Sequence, residues 1–185
     1  MRDISLHLLD LAQNSIRAGA GHVDISLRLL DDGALDIMIS DDGCGMAESL
    51  RARAADPFAT TRTTRRVGLG IPLAAANAEK TGGSLSIDSA PEKGCTLRLS
   101  FLTQSLDCLP LGALDQTMLS LILADPRGID FRLLLASPRA ETRFDTAEIR
   151  KILGPQVPLC EPEVSAFMRD MLREQIQSVL GGISN

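Results

Sequence analysis

Between Ile4 and Ala18 the apolar residues Leu8, Ala12 and Ile16 recur at helical spacing, and Gly19 and Gly21 end the run. The opposite stripe carries His7, Asp10, Asn14 and Arg17 at intervals of three and four, so these side chains stack along one helix face. The period then changes to two. Val23, Ile25, Leu27 and Leu29 alternate with His22, Asp24, Ser26 and Arg28, and Leu35, Ile37 and Ile39 repeat the pattern beyond an Asp32-Gly33 turn. This predicts a β-hairpin whose second strand runs directly into Asp41-Asp42-Gly43-Cys44-Gly45.

Residues 47–70 break both periods. They are rich in Arg, Ala and Thr and contain Pro57 and Phe58; a connection of this length predicts a mobile lid. A helix is expected from about Pro72, where proline suits a first turn, to Thr81. Leu85 and Ile87, then Leu97, Leu99 and Phe101, predict a second hairpin across Pro91-Glu92-Lys93-Gly94. Beyond Leu102 the pattern predicts a helix (Leu114, Met118, Leu121, Ile122), a strand (Ile129 to Leu135), a short helix from the Asp145/Glu148 capping pair to Gly154, and a last helix opened by Pro162. The fold class expected is α/β, as an α+β two-layer sandwich: a mixed sheet with helices on one face over residues 1–102, then a small α/β C-terminal extension over residues 103–185.

Composition narrows the options. The 185 residues suit one ordinary domain or one with an appendage, and a core without Trp or Tyr must be built from Leu, Ile, Val and Ala. A net charge of −5 with no basic run makes nucleic acid a poor partner; the one basic cluster, Arg62, Arg65 and Arg66, is sized for a triphosphate. Cys44, Cys95, Cys108 and Cys160 form no C-x-x-C pair and fit reduced thiols. With no signal-peptide block after Met1 and no apolar run of about 18 residues, a soluble cytoplasmic protein with no membrane partner is expected.

Four segments carry candidate chemistry. Asp10 and Asn14 place a carboxylate and an amide one turn apart: the amide oxygen suits Mg²⁺, and the acid can orient or deprotonate an attacking group. Asp41, at a strand end before glycines, can accept from an exocyclic amine while the backbone lies against a base. Gly68-Leu69-Gly70 exposes N–H groups and feeds a helix N-terminus, where phosphate is stabilised. Gly94-Cys95-Thr96 turns into the last strand of the second hairpin. A P-loop is excluded because its Gly-Lys dipeptide occurs nowhere.

In this order the segments resemble the ATP-binding domain shared by sensor histidine kinases, DNA gyrase and the mismatch-repair MutL proteins, the GHKL superfamily, over about residues 5–102. The resemblance implies a Bergerat-type fold with ATP and Mg²⁺ as cofactors. It assigns Asp10 to catalysis, Asn14 to the metal, Asp41 to adenine with Gly43 and Gly45 in its loop, and Ala18 and Met46 to the nucleotide site. Pro57-Phe58-Ala59-Thr60-Thr61-Arg62 is similar to the kinase lid with Arg for Lys, so Thr60, Thr61 and Arg62, then Gly68, Leu69 and Gly70, are assigned to the phosphates. Thr96 is assigned beside Asp41. Two positions depart from the pattern: Asp10 stands where hydrolysing members generally carry Glu, and Asp42 where Asn is usual.

The resemblance implies ATP hydrolysis or phosphoryl transfer to a partner protein in signal transduction, in the manner of a histidine kinase or an anti-sigma serine kinase. The alternative is an ATP-gated binding module with little catalysis. A protein partner is expected through the extension, whose Pro110-Leu-Gly112 and Pro158-Leu-Cys-Glu-Pro-Glu-Val164 are similar to small stand-alone bacterial ATP-binding proteins; a homodimer is the further option. His7, on the polar stripe, is expected at the surface.

Overall fold

A computed structural model describes residues 2–54, 69–124 and 128–182. The first periodic run is helix α1 (Ile4–Arg17), and the two alternating runs are β1 (His22–Leu29) and β2 (Ala34–Asp41). A single turn α2 (Glu48–Arg51), helix α3 (Gly70–Lys80) and strands β3 (Ser84–Ser89) and β4 (Cys95–Leu102) follow. The remainder forms α4 (Leu114–Leu123), β5 (Asp130–Ala136), β6 (Glu141–Asp145), α5 (Thr146–Leu153) and α6 (Pro162–Leu180).

The strands make one six-stranded mixed sheet in the order β3-β4-β2-β1-β5-β6. All adjacent pairs are antiparallel except β1 and β5, which are parallel. Strand alternation separates the two faces. Ile87, Leu97, Ile39, Ile25, Leu133 and Phe144 are register partners in one apolar row across all six strands. Together with Leu27, Leu35, Phe101 and Phe131 they form a core covered by α1, α3, α4 and α6. The opposite face is polar: Thr96, Ser40, Asp24, Arg132 and Asp145 are partners in the neighbouring row. A concavity of about 750 Å³ opens there over Ser26, Met38, Ser40, Ser86 and Arg98.

Residues 103–124 and 128–182 are built onto the first unit. β5 pairs with β1 from His22 to Arg28, and the extension's Met118, Phe131, Leu133 and Met168 belong to the same core as Leu8 and Ile25. The extension also receives the start of α1. Ile4 N–H and Ser5 N–H donate to the carbonyls of Pro110 and Leu111, each at 2.9 Å, so two N–H groups that a helix start leaves unpaired find acceptors. Asp3 caps the same turn by accepting from Leu6 N–H at 2.8 Å. Asp145 caps α5 through Ala147 N–H at 2.9 Å. The reciprocal half of the capping box is not made, because the Glu148 carboxylate turns to Arg143 Nη2 at 3.4 Å.

Candidate nucleotide site

Helix α1 brings three polar side chains to one end of the sheet. Asp10 and Asn14 are part-buried and Ser15 is buried. The next element in space is α3, whose first residue lies against Asp10: a Cβ built on Gly70 would come within 2.5 Å of Asp10 Oδ2. Glycine at this position therefore makes room for the carboxylate. Asn14 Oδ1 accepts from Arg17 Nη1 at 3.3 Å, an exposed contact that a ligand can displace.

Asp41 ends β2 with its carboxylate fixed on both oxygens. Ser15 Oγ–H donates to Oδ2 at 2.6 Å and Gly43 N–H to Oδ1 at 2.9 Å. The sequence motif does not mark Ser15; its signal is a small hydroxyl residue directly after Asn14, turned toward the core side of α1. The loop beyond Asp41 packs onto both neighbours. Ala18 carbonyl accepts from Cys44 N–H at 3.0 Å, and Met46 N–H donates to Ser89 Oγ at 2.9 Å. Gly45 has φ +64°, and a Cβ there would meet the Ala90 carbonyl oxygen, so only glycine lets the loop dock on the β3–β4 turn.

Asp42 has a structural task. Its carboxylate accepts from Gly21 N–H at 2.7 Å and His22 N–H at 2.9 Å, and these backbone donors hold it below the usual carboxylate range. An acid at this position accepts both bonds at once and ties the loop to the start of β1.

Thr96 lies elsewhere than expected. It pairs in register with Ser40 on the polar face, with the two hydroxyl oxygens 2.8 Å apart, whereas Asp41 pairs with Cys95. The alternation of Leu97, Leu99 and Phe101 already put Thr96 on the other face from Asp41. The half-buried Cys95 thiol is pushed up to about 11 by burial and then by the Asp41 charge, so it is a protonated neighbour of the carboxylate.

His7 is buried rather than at the surface. It is 2% exposed, with Asn77 Nδ2 of α3 2.9 Å from its Nε2, because α1 is covered by α3 and α4 as well as by the sheet. Leu69 stands exposed at the start of α3, its carbonyl accepting from Leu73 N–H at 2.9 Å. Thr60, Thr61, Arg62 and Gly68, and with them most of the expected lid, lie outside the described residues. Among the described residues no three His, Cys, Asp or Glu are grouped for a metal, and no helix is long and apolar enough to cross a membrane.

Residues 2–105 match the family described as histidine kinase-, DNA gyrase B- and HSP90-like ATPase. Sporulation kinase A of Bacillus subtilis strain 168 is 31% identical over 101 residues, 55% of this chain and 16% of that protein. The sensor histidine kinase component HK1 of Mycobacterium tuberculosis strain H37Rv is 33% identical over 106 residues, 56% of this chain and 61% of that protein. The chain thus spans less than two thirds of either relative. The crystal structure of the N-terminal domain of a DNA repair protein superposes with a TM-score of 0.53 over 77% of this chain and 52% of that one, at 15% identity, a likeness of fold.

Proposed function

The chain belongs to the histidine kinase-, DNA gyrase B- and HSP90-like ATPase family, and we propose that it binds ATP with Mg²⁺ between α1, the Asp41 loop and the N-terminus of α3. The observation that carries this reading is the Asp41 carboxylate, fixed by Ser15 of α1 and by Gly43 of its own loop. With both oxygens receiving donors, its remaining lone pairs are oriented to accept from the adenine amine. Ala18 and Met46 border this end of the site.

Asn14 suits Mg²⁺ because its neutral oxygen adds one ligand to an ion that keeps waters and bridges phosphates. The neutral amide oxygen of Asn14, one helical turn from the Asp10 carboxylate, makes with the oxygens of a triphosphate a donor set that fits this ion. The ion would neutralise phosphate charge, while Asp10 holds or takes the proton of the attacking hydroxyl. Gly68 and Gly70, with Thr60, Thr61 and Arg62, are proposed to meet the phosphates. The acceptor is water or a side chain of a partner protein.

Thermal unfolding with a non-hydrolysable ATP analogue and Mg²⁺ tests the reading, since a ligand for the folded state raises Tm by mass action. No shift at millimolar analogue would overturn it. Phosphate release, measured alone and with candidate acceptor proteins, separates turnover from ATP-gated binding. Asp41→Asn should lose the preference for ATP over GTP, because the amide brings one acceptor oxygen to a place where Ser15 and Gly43 both donate.

A further inference from the structure

Two polar side chains of α1 meet α3. Gly70 abuts the Asp10 carboxylate, and seven residues further along α3 the Asn77 amide meets His7. The helices cross in opposite senses, so α1 advances from His7 to Asp10 as α3 retreats from Asn77 to Gly70. Asn77 is part-exposed while His7 is buried, and among the described residues His7 Nδ1 has no hydrogen-bond partner.

A buried ring with one unpaired nitrogen is a poor choice for stability, since an apolar side chain would fill the same space without that penalty. What the ring provides is direction. A 2.9 Å hydrogen bond between side chains fixes the separation and height of two helices that apolar packing would let slide.

We propose that His7 and Asn77 are positioning residues whose hydrogen bond sets α3 against α1 and thereby holds Gly70 at the Asp10 carboxylate. Asp10 is three residues from His7, so a shift of α3 is felt at the carboxylate and at the N-terminus where phosphate is proposed to bind. This deepens the proposed function, on which its nucleotide consequence rests; the geometric consequence holds without nucleotide.

The first experiment uses the ligand-free chain. Gly70 does not have a positive φ, so alanine there suits the backbone and, by reducing the freedom of the unfolded chain, should alone raise Tm by about 1–4 °C. In the wild type the Asp10 contact should cancel that rise. In a His7→Leu background, with α3 released, the rise should appear. An equal effect of Gly70→Ala in both backgrounds would overturn the proposal.

The second experiment titrates the ATP analogue with Mg²⁺. His7→Leu should keep or raise Tm yet weaken binding about tenfold, whereas His7→Gln, which can still bond Asn77, should stay within about threefold; displacements of about 1 Å can cost a site this much. Asn77→Leu, at a part-exposed position, carries the same expectation should His7→Leu not fold. Unchanged binding in the folded leucine variant would overturn the proposal. A wild type that ignores the analogue would count against the proposed function, and the ligand-free experiment would then decide the positioning role alone.

Discussion

Ser15 shows how one hydroxyl can govern a site that it never needs to touch. It is buried on α1 and donates to Asp41, 26 positions away. A hydrogen bond to a charged group contributes about 1.5–3 kcal/mol when both partners are desolvated, but Asp41 is part-exposed and water recovers part of this. Ser15→Ala should therefore cost about 1 kcal/mol in urea unfolding and weaken the ATP analogue by loosening the carboxylate, while Ser15→Thr should restore both.

His7 makes a second prediction, in pH. Burial lowers its pKa from 6.5, against the opposing pull of Asp10 and Asp3. Below 6.5 the unfolded chain takes up a proton that the folded chain declines, so the folded state is favoured less as pH falls through 6.5 toward the folded value. The urea midpoint should drop between pH 7.5 and 5.5, and His7→Leu should flatten that slope. An equal slope in the variant would remove His7 as its source.

Among the elements, those with a long, clean period were legible before the fold. α1, β1, β2, β4 and β5 begin and end within about two residues of their expected bounds, as a helix or strand with one buried face announces its period. β6 was not legible. Glu141-Thr-Arg-Phe-Asp145 carries one large apolar side chain, Phe144, and is a strand because β5 offers it a paired edge. The same Asp145 then caps α5 and accepts from Arg132 Nε at 3.1 Å. Asp145→Ala removes cap and partner together and should cost about 1–3 kcal/mol. Circular dichroism should show a loss confined to helix, and Asp145→Asn, which retains the cap acceptor, should recover most of it.

At the scale of the molecule, the extension completes what the first hundred residues leave open. Without it β1 would be an edge strand, the first turn of α1 would lose the Pro110 and Leu111 carbonyls, and Leu8 and Ile25 would lose core neighbours. Exposed edges and apolar faces favour association. A fragment of residues 2–105, the span of the family match, should be poorly soluble or bind a hydrophobic dye, and should unfold less cooperatively than the full chain. A fragment that unfolds as cooperatively as the full chain would mean that the first four strands stand alone.

Local pattern determined the elements with a long clean period, the faces of their strands and the order of the candidate segments, because each depends on neighbours a few residues apart. Asp10 with Asn14 needed only a helix, and Asp41 with its glycines only a strand end and a turn. Tertiary structure decided which surfaces of those elements are covered. It buried His7 under a helix 70 positions away, gave Asp41 its hydroxyl partner, and set β5 beside β1 across about a hundred residues. It also placed Cys95 opposite Asp41 and gave Thr96 its partner Ser40, 56 positions away. Such pairings are fixed by the packing of elements far apart in the chain, and the period of a single element carries no record of its partner.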